Sequence, residues 1–464
     1  MDDHRSPAAS ATVSSRLADW SAGLRFEDLP ADVVDAVIAT AVDTVGLSMS
    51  ARHEGYARAV VESCDSDGPC TVLGRARGQD AGGAAFANGV AAHGEDFDNT
   101  FEGCPVHSGA VIVPAILALA ERDGLDGRTV TTAMAVGIEI MCRLGLVAKK
   151  GIHAGGFHPT SVLGTLAAAG AAARAMGLDA QRTRHAFGIA GSAASGIIEY
   201  LADGSSTKRM HAGWAAQAGI RAAMLARAGF DGPATVFEGT HGLFRSFAPS
   251  LKADFAPLVD ALGARWSAAD VAFKPYACGT MTQPYIDCML ALRRDGLRPE
   301  DVASVVCEVG EGTVHRLWEP LALKQSPPTA YGAKFSTPYC VAVALVDGDA
   351  GLAQFTDDRI ADARIREVAS KVVYVVDPDN EYPANYTGHV RVTRLDGSHV
   401  EARQSCLRGG VREPLTRDEI LAKYRANTRF GGVHQQAAES VLVALMSLPD
   451  RSGFSFLKDV AHDD

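Results

Sequence analysis

The sequence predicts a mainly α protein with an α+β second domain: a large all-helical domain over residues 16–267 and a smaller domain with a mainly antiparallel sheet over 268–411. Two stretches of pattern carry that expectation. From Leu29 to about Phe247 apolar residues recur at helical spacing almost without a break. After Trp266 short runs rich in β-branched residues take over. The makeup agrees, because only 7% of residues are aromatic while glycine alone counts 47, which suits helices packed closely through small contact residues.

Taken in order, residues 1–15 read as a disordered tail, polar and without the apolar core of a secretory signal. "LPADVVDAVIATAVDTVGLSMS" opens on a Pro-Ala-Asp start signal and continues with helical spacing. Helical segments beginning near 81, 110, 129, 160, 182 and 211 follow, joined by short links bearing Gly or Asp. Several are apolar most of the way round, which places them inside a bundle. In the second domain, 302–310 and 371–377 read as strands, with helices around 281–294, 337–347 and 361–370 between and beside them. "TGHVRVTRLDGSHVEARQSC" alternates and turns at Asp396-Gly397, a hairpin signal. The closing stretch, 412–464, is helical and is expected to return to the first domain.

The chain of 464 residues carries a formal net charge of −11, which argues against non-specific binding to nucleic acid or to an anionic membrane. Nine cysteines without a CxxC pair read as reduced thiols of a cytoplasmic protein, neither a disulfide frame nor a zinc site. The run "AVIVPAILALA" (110–120) is too short to span a bilayer. There is no P-loop, HExxH or GxSxG motif, and "SSTK" (205–208) meets the SxxK spacing of a serine acylase without the KTG partner.

Four clusters hold chemistry-bearing residues. "EDFDNTFEGCPVH" (95–107) gathers Asp96, Asp98 and Glu102 ahead of His107; with no histidine or cysteine at ligand spacing on a second element, it reads as a set of paired carboxylates and not as a metal site. "GFHPTSVLGT" sets His158 before a helix that Pro159 can begin, either as a helix-start cap or as a neutral base facing an anionic substrate. "DGSSTKRMHAG" puts Lys208, Arg209 and His211 at the entrance of an apolar helix, as a solvated cationic face or as an anion grip. "AFKPYACGTMTQPYID" sets Lys274 among apolar residues, where a lysine either snorkels or lies buried against a partner.

Together, "AAFANGVAAHGEDFDNT", "GFHPTSVLGTLAAAGAAARAMGLD", "KPYACGTMTQPYID" and "FSTPYCVAVAL" resemble, in this order, the hallmark stretches of the MmgE/PrpD family, and the resemblance runs from about residue 15 to 450. It implies an all-helical domain with a smaller α+β lid domain, a homodimer, no metal or organic cofactor, and a small polycarboxylate substrate. It also implies site residues: Asp96 and Thr100 line the cleft, His107 and His158 form the acid/base pair, Lys208 and Lys274 clamp carboxylates, and Tyr339 relays a proton. Arg209 and Gly279 complete the substrate-binding or orienting set. Two departures stand out: one extra residue precedes His107, and "CGTMTQ" (278–283) has no histidine where lyase members carry one. Dehydration, decarboxylation and two-base epimerisation of an aminodicarboxylate therefore all stay open.

Overall fold

The computed structural model describes residues 12–65 and 67–461. Residues 1–11 of the expected tail lie outside that range, and residues 13–15, expected to belong to it, are helical. Helix α1 begins at Val13, with Thr12 capping it through a hydrogen bond from the Ser15 amide.

The chain divides into two units, one made of residues up to Ala92, Thr100–Val271 and His434 onward, the other of His93–Asn99 and Ala272–Val433. The helical unit is built from α1 (Val13–Gly23), α2 (Ala31–Ser50), α3 (Ala81–His93, up to Ala92), α4 (Ser108–Asp123), α5 (Gly127–Ala148), α6 (Pro159–Ala175), α7 (Ala180–Ala193) and α8 (Thr207–Arg227). Its centre is α6, in which every residue from Pro159 to Ala173 is buried, packed by α4, α5, α7 and α8. Such a helix needs small residues on all sides, which "TLAAAGAAARA" supplies. The crossing of α3 with α8 shows the limit: a Cβ on Gly213 would come within 2.2 Å of the Phe86 carbonyl oxygen, and one on Gly89 within 2.7 Å of Gly213 Cα. Any larger residue would push the two backbones apart.

Helices α2 and α5 are long and apolar enough to cross a bilayer, yet 78% and 94% of their apolar windows are buried within the protein. They are core helices. In α5 a buried Glu139–Arg143 pair anchors the segment 257–268. Arg143 donates to the carbonyls of Pro257 (3.0 Å), Asp260 (2.8 Å) and Arg265 (2.7 Å), while Glu139 accepts the Ala268 amide at 2.8 Å. Pairing every polar atom of two buried charges in this way offsets their desolvation.

The second unit carries a four-stranded sheet of β1 (Val302–Val309), β2 (Val372–Val376), β3 (Gly388–Arg394) and β4 (His399–Gln404), in the order β2-β1-β3-β4. β1 pairs β2 in parallel, with Val305 opposite Val372, and β3 antiparallel, with Cys307 opposite Val390. The expected hairpin is present: β3 and β4 pair antiparallel, and Gly397 turns with φ +84° while Asp396 Oδ1 accepts the Ser398 amide. Helix α9 (Gln283–Arg294) packs on β3 and β4, and α10 (Thr337–Asp347) on α11 (Ala363–Ser370).

Helix α12 (Arg417–Phe430) belongs to this unit as well, where the sequence suggested a return to the helical domain. Its inward residues, Ile420, Lys423, Tyr424 and Asn427, are buried there. Among the described residues of this closing stretch, those from His434 on, including α13 (Gln435–Met446), lie in the helical unit. All nine cysteines are free.

Candidate active site

The residues singled out in the sequence fall into two clusters, one in each unit. In the helical unit, His107 and His158 are the N-cap residues of α4 and α6, and neither side chain caps its own helix. The His107 amide donates to Thr160 Oγ1 at 3.3 Å, and Thr160 lies in the first turn of α6. Two long helices thus begin side by side, with their partial positive ends together, a favourable place for an anion. Pro159 at the first position of α6 fixes the backbone where it leaves His158.

His158 is held by its own amide, which donates to the Gly196 carbonyl at 2.8 Å, and by its ring, whose Nδ1 lies 3.1 Å from Nδ1 of His211 on α8. Both side chains are buried, and the Tyr200 ring lies 6.2 Å from the one and 5.8 Å from the other, edge to face. Gly196 has φ +111°, and a Cβ there would fall 2.6 Å from Ser161, so only glycine lets the 196–198 segment approach His158 so closely. The Nδ1–Nδ1 contact has a strict consequence. One imidazole must carry its proton at Nδ1 and the other must accept there, so in the neutral pair one Nε2 bears a lone pair and the other a proton. A base and an acid are thereby set next to each other by one hydrogen bond.

Lys208 and Arg209 sit in the first turn of the same helix as His211 and are half-buried. The Arg209 guanidinium stacks over Tyr56, 4.6 Å from the ring centre. Thr100 is buried in the short strand Thr100–Phe101.

The second cluster surrounds the loop His93–Asn99. Lys274 donates to the Asp96 carbonyl at 2.7 Å and to Asp96 Oδ2 at 3.3 Å. Lys334 meets the Glu95 carbonyl at 3.1 Å and Glu95 Oε2 at 3.0 Å. Lys423 donates to the Phe97 carbonyl at 2.8 Å and lies 3.9 Å from the centre of the Phe97 ring. Asp98 pairs with His93 Nδ1 at 2.7 Å, so this carboxylate too is paired.

Asp96, one of the carboxylates expected to be paired, meets Lys274. Lys274 lies buried against that partner, and two of its three N–H groups serve it. Asp96 adopts φ +54°, the left-handed region, a strain of roughly 1–3 kcal/mol for a residue other than glycine that the surrounding contacts must offset.

Two expected members are committed elsewhere. The Tyr339 hydroxyl donates to the Gln354 carbonyl at 2.6 Å, and burial pushes its pKa up, so it stands as a neutral, hydrogen-bonded part of the core. Gly279 donates its amide to the Lys334 carbonyl, and a Cβ there would meet the Phe335 ring at 3.2 Å. The histidine-free stretch 278–283 closes on itself: Cys278 Sγ lies 3.0 Å from Thr282 Oγ1, and Gln283 Nε2 donates to the Cys278 carbonyl at 3.3 Å.

With this geometry in view, the chain matches the MmgE/PrpD N-terminal domain over residues 15–256 and the MmgE/PrpD C-terminal domain over residues 276–448. The chain belongs to the MmgE/PrpD family. Its relatives include a cis-aconitate decarboxylase of Homo sapiens, 31% identical over 386 residues that cover 81% of this chain and 78% of that protein. The cis-aconitate decarboxylase of Mus musculus is 30% identical over 382 residues, covering 81% and 77%. The cis-aconitate decarboxylase-like protein oryM of Aspergillus oryzae is 26% identical over 469 residues, covering 95% and 96%. As a member of the MmgE/PrpD family with these relatives, the protein is an enzyme of the lyase kind.

Sequence reasoning missed the pairing of His158 with His211 and both Lys334 and Lys423. His211 stood in the quoted cationic run, and Lys334 lies two residues before "STPY", so each had a local signal. Lys423 sits in an ordinary amphipathic helix and had none.

Proposed function

We propose that this MmgE/PrpD protein decarboxylates a small unsaturated polycarboxylate of the cis-aconitate type. The observation that carries the reading is the buried His158–His211 pair beside the paired starts of α4 and α6. The helix starts supply fixed positive potential for a substrate carboxylate, and charge developing on that group is stabilised without reorganisation. Carbon–carbon cleavage releases carbon dioxide and leaves the electron pair on carbon, conjugated with the remaining carboxylate system. The Nε2–H of the pair then delivers one proton to that carbon, and solvent restores it. His107 at the start of α4 is the second proton-handling group. Lys208 is the candidate cation for a further carboxylate, and Asp96 and Lys274 enter the reading by family correspondence alone.

Epimerisation is the second reading, and the closed, histidine-free 278–283 segment favours it. A pair offering one base and one acid can remove a proton and return one without a donor for a leaving group. Incubation with cis-aconitate, a 2-methylcitrate and an aminodicarboxylate in deuterated water, followed by proton NMR, separates the two. Decarboxylation predicts a product one carbon shorter with one new deuterium. Inversion with deuterium at the α-carbon and no carbon lost would replace this reading by the epimerase, and no turnover of any of them would end it.

A further inference from the structure

The loop His93–Asn99 is gripped in an unusual way. Three consecutive carbonyls, those of Glu95, Asp96 and Phe97, each accept from a different buried lysine: Lys334 at 3.1 Å, Lys274 at 2.7 Å and Lys423 at 2.8 Å. The lysines come from three separate parts of the chain. Lys274 precedes a proline turn, Lys334 precedes α10, and Lys423 lies on α12. Lys274 and Lys334 each also reach the carboxylate of the residue whose carbonyl they bind. Lys423 instead lies against the ring of the residue whose carbonyl it binds.

We infer that Lys334 and Lys423 are positioning residues of the enzyme, acting with Lys274 to set the direction of the Asp96 side chain. The reasoning is geometric. Three adjacent peptide planes pinned by three donors leave the backbone at Asp96 no freedom to rotate, and that backbone is in the left-handed region it would otherwise leave. Such a backbone fixes the Cα–Cβ direction, and Lys274 at 3.3 Å from Oδ2 then selects the direction of the carboxylate. An ammonium suits the task better than a neutral donor, because its three N–H groups can serve a carbonyl and a carboxylate at once. A charge-assisted hydrogen bond is also shorter and stronger than a neutral one. Lys423 adds a feature of its own: with its charge over the Phe97 ring it fixes a side chain as well as a carbonyl.

The role of Asp96 in turnover rests on the proposed function, whereas the grip on the loop does not, and two readouts keep them apart. The first is hydrogen exchange of the 93–99 amides in the full-length protein. The second is steady-state turnover of cis-aconitate. Lys423→Met should speed exchange across 93–99 at least ten-fold and leave exchange in α6 unchanged. It should lower kcat at least ten-fold with KM within three-fold, and Lys423→Arg should recover part of kcat. Phe97→Leu, which keeps the carbonyl and removes the ring, should speed loop exchange two- to five-fold and serves if Lys423→Met does not fold. Unchanged exchange of the loop in either folded variant would overturn the inference. So would a rise in KM with kcat intact, since that marks a residue touching substrate instead of one acting through Asp96. If the wild type does not turn over cis-aconitate, the function proposed above fails while the exchange data still decide the clamp.

Discussion

The two clusters treat their titratable groups in opposite ways. In the helical unit, two imidazoles share one hydrogen bond between like atoms, and the proton can sit on either side of it. In the sheet-bearing unit, three ammonium groups face two carboxylates and three carbonyls, and each lysine has one arrangement to keep. The first arrangement suits moving a proton and the second suits holding a backbone still. Buried charge is therefore not by itself a sign of reacting groups; what matters is whether the contacts leave a proton a choice.

Substitutions can break that contrast, and the largest effect should come from the histidines. His158→Ala should lower kcat/KM about 1,000-fold, within the usual range for a lost general acid or base. His211→Ala should come within ten-fold of it, measured with the substrate identified by NMR. Retention of a third of the activity by His211→Ala would dissolve the idea of a working pair.

On the other side of the comparison, Lys274→Met leaves the Asp96 carboxylate buried beside an apolar chain. Urea unfolding should show a loss of about 3 kcal/mol, typical for one partner removed from a buried pair. A loss below about 1 kcal/mol would mean that the loop can rearrange, and the rigidity ascribed to it would go.

Asp287 offers a third kind of buried carboxyl, bonded to a tyrosine hydroxyl with the Arg408 guanidinium 3.9 Å away. Tyr276 donates to it at 2.6 Å, yet burial dominates and its pKa is pushed up to about 6, above the ordinary value of 3.8. A carboxyl raised in the folded state favours folding in its protonated form. Its contribution is complete below about pH 4 and is lost as pH rises through about 6. Stability of the wild type should therefore carry a fall of about 2 kcal/mol over that interval. Asp287→Asn should flatten it, as followed by urea unfolding at several pH values; the same slope in both proteins would refute the assignment. The smallest effect is expected from Tyr339→Phe, about 1 kcal/mol for the hydrogen bond to Gln354, read from the urea midpoint.

Much of the fold was legible because its signals are local. The start of α6 at Pro159, the turn at Asp396-Gly397 and the strands at 302–309 and 372–376 are each dictated by a few neighbouring residues. Of the candidate site, local pattern indicated the placement of His158 at a helix start and of Lys274 buried against a partner. The remainder depends on long-range packing. Tyr339 stood in the right motif, but its hydroxyl is taken by a carbonyl fifteen residues on. Helix α12 has a typical amphipathic pattern, and nothing in that pattern says which unit its inner face will join. Its Lys423 finds its acceptor 326 residues earlier in the chain.

That distance bears on how the protein is made. At about 5–20 residues per second, ribosomal synthesis needs roughly 16–65 s to pass from Phe97 to Lys423. Through that interval the loop has been made and its last anchor has not. By Val271 the helical unit lacks only the residues from His434 onward, while Lys274, Lys334 and Lys423 are all still to come. A fragment of residues 272–433 made alone would carry three lysines shaped to receive a peptide it lacks. Supplied separately, the sequence "HGEDFDN" is the natural candidate to complete it.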